Sequence, residues 1–166
     1  AETAKNLNLT NSHALAARAA ALSPELKEKE REISSLEAEI AASKTADLMK
    51  DAKQIGGVRL VTADIGEAGA DALRSLCDKA LESGDDIIAV FAGKNAEKGT
   101  ASFACRVGKK AIECGAHAGN IVREVARVAG GAGGGKPDSA MAGAKDISKI
   151  PEALKKASEI VDAMLA

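Results

Sequence analysis

The sequence predicts an α/β protein: an N-terminal helical hairpin or short coiled-coil stalk over residues 1–55, then a small mixed-sheet α/β sandwich over residues 56–166. Three observations carry this. A heptad trace marks the first part. The pair Gly56-Gly57 ends the helical period, and beyond it strand-like runs alternate with amphipathic helical stripes in the order β-α-β-β-α.

Residues 1 to about 53 read as helix. Thr10, Asn11 and Ser12 suit an N-cap, followed by Leu15, Ala19 and Leu22 at helical spacing. Ser23 caps a second segment with Pro24 and Glu25 in its first turn, the residues a helix start prefers. Leu26, Ile33 and Ile40 then recur every seven residues, with Leu22 and Leu36 on the alternate seam. Lys29 and Ser43 interrupt that seam, so a stalk with a solvated Glu/Lys face is favoured over a sustained zipper.

After the glycine pair, Val58, Leu60, Val61 and Ile65 form a strand-like run. A helix is expected over about 67–83, with Leu73, Leu76, Cys77, Ala80 and Leu81 on one face. The apolar run Ile87-Ile88-Ala89-Val90-Phe91-Ala92, bounded by Asp85-Asp86 and Gly93, predicts a strand covered on both sides. Residues 94–99 make a polar turn into a hairpin partner over Thr100 to Val107, where Phe103 and Cys105 share a face with Ala101 and Val107. Helices are expected from about His117 to Ala129, with a stripe of Ile121, Val125 and Val128, and from Pro151 to Leu165.

Composition limits the function classes. Of 166 residues 36 are alanine, and there are two Phe, no Tyr and no Trp, so the core is thin and a deep aromatic pocket is not expected. With 23 basic against 24 acidic residues the chain lacks the overall positive charge of a generic nucleic-acid binder, so any such site must be local. Cys77, Cys105 and Cys114 have neither CxxC nor metal-ligand spacing and are expected to be small buried thiols of a reducing, cytoplasmic setting. No apolar stretch reaches the length of a membrane span, and a start at Ala1 without Met is expected of a piece of a longer polypeptide.

The most unusual stretch is Gly130-Gly131-Ala132-Gly133-Gly134-Gly135-Lys136-Pro137-Asp138. Such glycines stop a helix and permit positive φ, which lets N–H groups converge on a phosphate; they equally let two backbones pack closely. A P-loop is excluded, because Pro137 follows Lys136 where Ser or Thr is needed. Residues 130–144, Gly-Gly-Ala-Gly-Gly-Gly-Lys-Pro-Asp-Ser-Ala-Met-Ala-Gly-Ala, resemble the glycine-rich motif near the end of alanyl-tRNA synthetase: glycines, Arg-Pro-Asp, then Met-Ala-Gln-Ala-Gly-Gly. The resemblance extends to the charged N-terminal helix, the Gly-Val strand, the central apolar strand, Ala118-Gly119 opening a helix, and the closing amphipathic helix, so the chain looks like the linker helix and DHHA1-type domain of that family. Lys136 stands where the family has Arg, Ala132 interrupts the glycines, and Ser139, Met141 and Ala144 replace Met, Gln and Gly.

The chemical inventory is poor. His13 and His117 lack a catalytic setting, His117 reading as a helix-start polar group; Cys114 near His117 lacks a nucleophile signature; Asp85-Asp86 reads as an acidic turn. No catalytic residue, metal or cofactor is expected in these residues; the resemblance implies an ATP-dependent parent ligase, with ATP and zinc bound elsewhere in it. Residues 94–166 carry 12 basic and 8 acidic side chains, against 3 and 7 over residues 58–93. The candidate RNA contacts are Lys94, Lys98, Arg106, Lys109, Lys110, Arg123, Arg127 and Lys136, beside the motif residues Gly130, Gly131, Gly133, Gly134, Gly135, Pro137 and Asp138. The resemblance implies a tRNA partner held at its outer corner. The alternatives are a homodimerising structural domain acting through the N-terminal helices, and the accessory substrate-binding domain of a DHH phosphoesterase.

Overall fold

The computed structural model describes residues 47–166, with Pro24, Glu28 and Ser43 as isolated helical positions before them. The chain divides into two compact units, Ala1–Ile40 and Ala41–Ala166. The expected stalk, its heptad seam and His13 lie outside the described residues. The second unit holds the whole sheet.

Its strands and α-helices are β1 (Lys53–Ile55), β2 (Val58–Glu67), α1 (Ala70–Leu81), β3 (Ile87–Asn95), β4 (Thr100–Val107), α2 (Lys109–Glu113), α3 (Ala118–Val128), β5 (Ala132–Gly135), β6 (Ser139–Ala144) and α4 (Ile150–Leu165). The sheet runs β1-β2-β3-β4-β6-β5. Only β2 and β3, joined through α1, are parallel; every other neighbouring pair is antiparallel. Among the described residues no helix is long and apolar enough to cross a membrane.

Strand alternation divides the core between two faces. Ile87, Ala89 and Phe91 of β3 pack with Leu73, Leu76, Cys77 and Ala80 of α1. Ile88, Val90 and Ala92 point the other way and join Phe103, Cys105 and Val107 of β4, Ile121, Val122 and Val125 of α3, and Ile150, Ala153, Ala157 and Val161 of α4. The alanines let these helices approach the sheet closely, and Phe91 and Phe103, both fully buried, fill opposite faces.

The helix expected to reach residue 53 ends at Lys50, because Lys53–Ile55 pairs with β2 instead. Ile55 faces Val58 across a two-residue loop, and Gly56 and Gly57 have φ of +54° and +86°, the positive values such a hairpin turn needs. Cys77 and Cys105 are buried as expected, and burial pushes the Cys77 thiol up to about 12. Cys114 departs from expectation: it caps the short helix α2 and is exposed.

Asp85-Asp86 closes the turn before β3 through the fold itself. Arg59 of β2 grips Asp86 with two bonds, Nε to Oδ2 at 2.8 Å and Nη2 to Oδ1 at 2.7 Å, and also donates to Ser83 O. That guanidinium holds the Asp86 carboxyl down at about 2, from an ordinary 3.8. Because the folded pKa is depressed, the pair's contribution is complete above the ordinary value and is lost as pH falls from there through about 2. Urea unfolding at stepped pH is expected to show this loss in the native chain and a flatter acid limb in Asp86→Asn.

Candidate nucleic-acid interface

The glycine segment is mostly strand. Gly130, with φ +65°, ends α3: its N–H donates to Arg127 O and that of Gly131 to Ala126 O, which satisfies the last helical carbonyls. Beyond Gly130 none of the run's glycines takes a positive φ, so they do not form the converging N–H cradle that glycine freedom permits. Ala132–Gly135 instead pairs with β6, Gly133 facing Ala142 and Gly135 facing Ala140.

Close approach explains the residue type. A Cβ on Gly133 would fall inside the van der Waals shell of Ala142, and one on Gly135 would stand 2.5 Å from Ser139 O. From the helix side, a Cβ on Gly119 would stand 2.5 Å from Gly135 O, so the opening of α3 lies directly on the glycine strand. Gly134 differs: a Cβ there meets nothing nearer than Nη2 of Arg123, at 3.4 Å.

The strand delivers the chain to a fixed turn. Lys136 N–H donates to Ser139 O at 2.9 Å across Pro137-Asp138. Pro137 O accepts from Ala118 N–H at 2.9 Å, and Asp138 O accepts from Val107 N–H at 3.0 Å. The Lys136 turn is therefore tied to the end of β4 and the start of α3, the region where Lys109 and Lys110 open α2 after Gly108.

The eight candidate RNA contacts do not form one patch. Lys109, Lys110 and Lys136 are exposed at one end of the sheet, and Arg123 is exposed on α3 behind Gly134. Arg127, on the same helix, pairs with Glu124 at 2.6 Å. Lys94 and Lys98 lie at the opposite end of the β3–β4 hairpin, about 20–25 Å away at ~3.4 Å per strand residue. There they line a cleft of about 470 Å³ together with Glu67 and Glu97, which balance their charge. Arg106 is turned inward: Nε is 2.6 Å from Asp78 Oδ1 and Nη1 is 3.7 Å from Asp138 Oδ2.

The remaining polar residues are occupied in the fold. His117 is the N-cap of α3, its Nδ1 accepting from Asn120 N–H at 3.4 Å, the helix-start role its sequence position suggests. Among the described residues no group of three or more His, Cys, Asp or Glu side chains converges as a metal site. Sequence reasoning missed the Asp78–Arg106–Asp138 contact, since its members lie on α1, β4 and the β5–β6 turn and no local spacing joins them.

Comparison with known proteins agrees with this architecture. The DHHA1 domain family matches residues 57–163. Alanine–tRNA ligases of Alkaliphilus oremlandii and Shouchella clausii are each 39% identical to the chain, over 144 and 140 residues, or 87% and 84% of it. Those matches take in 16% of either relative, so the chain spans about a sixth of their length. The crystal structure of the C-Ala domain from Aquifex aeolicus alanyl-tRNA synthetase is similar with a TM-score of 0.61 at 29% identity, over 67% of this chain and 97% of that one. A DHH-domain protein described as a member of the s1p family of ribosomal proteins shares the fold at a TM-score of 0.51 and 18% identity, over 88% of this chain and 33% of that one. With the family match running from the first turn of the sheet almost to the end of α4, the chain belongs to the DHHA1 domain family, in the form that the C-Ala domain of alanyl-tRNA synthetase takes.

Proposed function

We propose that the chain is the tRNA-binding C-terminal part of an alanyl-tRNA synthetase, holding the outer corner of tRNA(Ala) so that aminoacylation and editing act on one bound molecule. The observation that carries the reading is the Lys136 turn, pinned between β4 and α3 at the same end of the sheet as Lys109 and Lys110. Among the described residues Lys109, Lys136 and Arg123 make no ion pair, so their charge is available to phosphates. Near-absence of aromatic side chains favours recognition of RNA shape and backbone over stacking on bases. The likeness to alanine–tRNA ligases and to the Aquifex C-Ala domain supports tRNA as the partner. Ligation, with its ATP and zinc sites, belongs to the remainder of the longer polypeptide, in the cytoplasm; this part binds without a cofactor.

Fluorescence anisotropy of the 166-residue chain with labelled tRNA(Ala) tests the reading. Binding is expected to weaken steeply with salt. Lys136→Glu, and separately Lys109→Glu with Lys110→Glu, are expected to lower affinity, each lost phosphate contact reducing the salt slope by about one. Affinity unchanged in both variants would remove this end of the sheet as the interface. Absence of any tRNA binding by the native chain would remove the function.

A further inference from the structure

Arg106 looks like an RNA contact in the sequence, a cation within a basic stretch. Its surroundings give it different work. The side chain is 29% exposed and sits between two carboxylates, Asp78 of α1 and Asp138 of the Lys136 turn. Nε and Asp78 Oδ1 are buried with no hydrogen-bond partner, although they stand 2.6 Å apart; the approach is too bent for a hydrogen bond and is held by charge. The two carboxylates remain about half exposed, 46% for Asp78 and 55% for Asp138, so the solvent screens their attraction and the cluster acts through the orientation it imposes on Arg106 and the turn.

Asp138 is tied to the same strand end twice. Its carbonyl accepts from Val107 N–H, and its carboxylate faces Arg106, while Arg106 lies opposite Ser139 in the β4–β6 register. Residues 137 to 139 are thereby fixed on one side of Lys136. On the other side Gly135 is fixed against Gly119. Lys136 itself is exposed and free of ion pairs among the described residues.

We propose that Arg106 is a positioning residue: with Asp78 and Asp138 it forms a charge relay from α1 to the β5–β6 turn, and that relay sets the direction in which Lys136 presents its ammonium to an RNA phosphate. This rests on the tRNA-binding reading for its ligand, and on the Asp78–Arg106–Asp138 contacts for its mechanism. The relay accounts for an acidic residue next to an anion-binding lysine, where simple charge considerations would exclude it. It also predicts that Arg and Lys are not interchangeable at position 106, because only the planar fork reaches two carboxylates in divergent directions.

Three variants and two readouts decide it. In tRNA(Ala) anisotropy, Asp138→Asn removes a negative charge from the interface, so electrostatics alone predicts tighter binding; the relay predicts binding about fivefold weaker, a coupling typical of contacting groups. Arg106→Lys keeps the charge, so direct phosphate contact predicts near-native affinity, whereas the relay predicts the same fivefold loss as Asp138→Asn. In a Lys136→Ala background Arg106→Lys is expected to have no further effect, since it acts through Lys136. Amide hydrogen exchange supplies the readout independent of RNA: Val107 and Ala118 N–H are expected to exchange at least about tenfold faster in Asp138→Asn, while amides of β3 keep native protection, which also certifies folding. Tighter or unchanged binding by Asp138→Asn overturns the proposal, as does an additive loss in the Lys136→Ala background. If the native chain fails to bind tRNA the functional reading falls, and unchanged exchange at Val107 and Ala118 overturns the relay on its own.

Discussion

Gly133→Ala is expected to destabilise the domain by about 2–3 kcal/mol, while Gly134→Ala, one residue along the same strand, changes stability by less than about 0.5 kcal/mol. A methyl on Gly133 would overlap Ala142 at both Cα and Cβ, and Ala142 is held in β6 by β4 on its other side, so neither strand gives way cheaply. A methyl on Gly134 meets the far end of the exposed Arg123 side chain, which moves at little expense. The smaller unfolded-state entropy of alanine works in favour of both variants, so the difference between them reports the overlap. Urea unfolding followed by far-ultraviolet circular dichroism measures it, the chain having no Trp or Tyr to report by fluorescence. Equal stability of the two variants would show that the glycines are not required for close packing. Gly134→Ala, folded and stable, then becomes the variant in which an RNA role for the glycine backbone can be read separately from stability.

Phe103→Ala is expected to be larger still, about 3–5 kcal/mol, which is a large fraction of the stability of a typical domain. Phe103 is fully buried in β4, with Cys105 and Val107 along the strand and the apolar faces of α3 and α4 above it. It lies opposite Ala142 in the β4–β6 register, and the cluster it belongs to is rich in alanine, including Ala118, Ala126, Ala140 and Ala144. Alanines have no side-chain torsion with which to refill a ring-sized void, so the site relaxes poorly and the cavity contribution stays high. Phe103→Leu, which retains most of the volume, is expected to lose less than about 1.5 kcal/mol. A Phe103→Ala variant that loses no more than that smaller margin would mean that the helices collapse onto the sheet, contrary to this packing.

Elements with strong periodicity were legible from the residues alone. The unbroken apolar run of β3 announced a strand covered twice, and it packs through Ile87, Ala89 and Phe91 on one side and Ile88, Val90 and Ala92 on the other. Leu73, Leu76, Cys77 and Ala80 of the α1 stripe and Ile121 and Val125 of the α3 stripe are buried as their spacing requires, while Leu81 and Val128, at the helix ends, are half-buried. β5 and β6 escaped because glycine and alanine carry no strand preference. A signal was present in β6, where Ala140, Ala142 and Ala144 alternate inward and Ser139, Met141 and Gly143 lie less buried, but a period of two among small residues is faint. β1 has three residues, and its hairpin partner was visible while the Gly56-Gly57 turn read as a boundary. For the candidate interface, residue type picked out the cations. It did not separate Lys109 and Lys136 from Arg106, because pairing with Asp78 and Asp138 depends on tertiary neighbours, nor did it show that Lys94 and Lys98 stand at the far end of a hairpin.

The glycine strand also bears on how the open sheet ends. An open sheet offers its outermost strands as templates for pairing with other chains. Here one border is β1, three residues bearing Lys53, and the other is β5, four residues with side chains reduced to a single methyl and one carbonyl, that of Gly135, already pressed against Gly119. Neither border gives a foreign strand the length or the apolar grip to add on. The backbone that in the sequence looked like a loop thus leaves little at either border for edge-to-edge pairing with another strand.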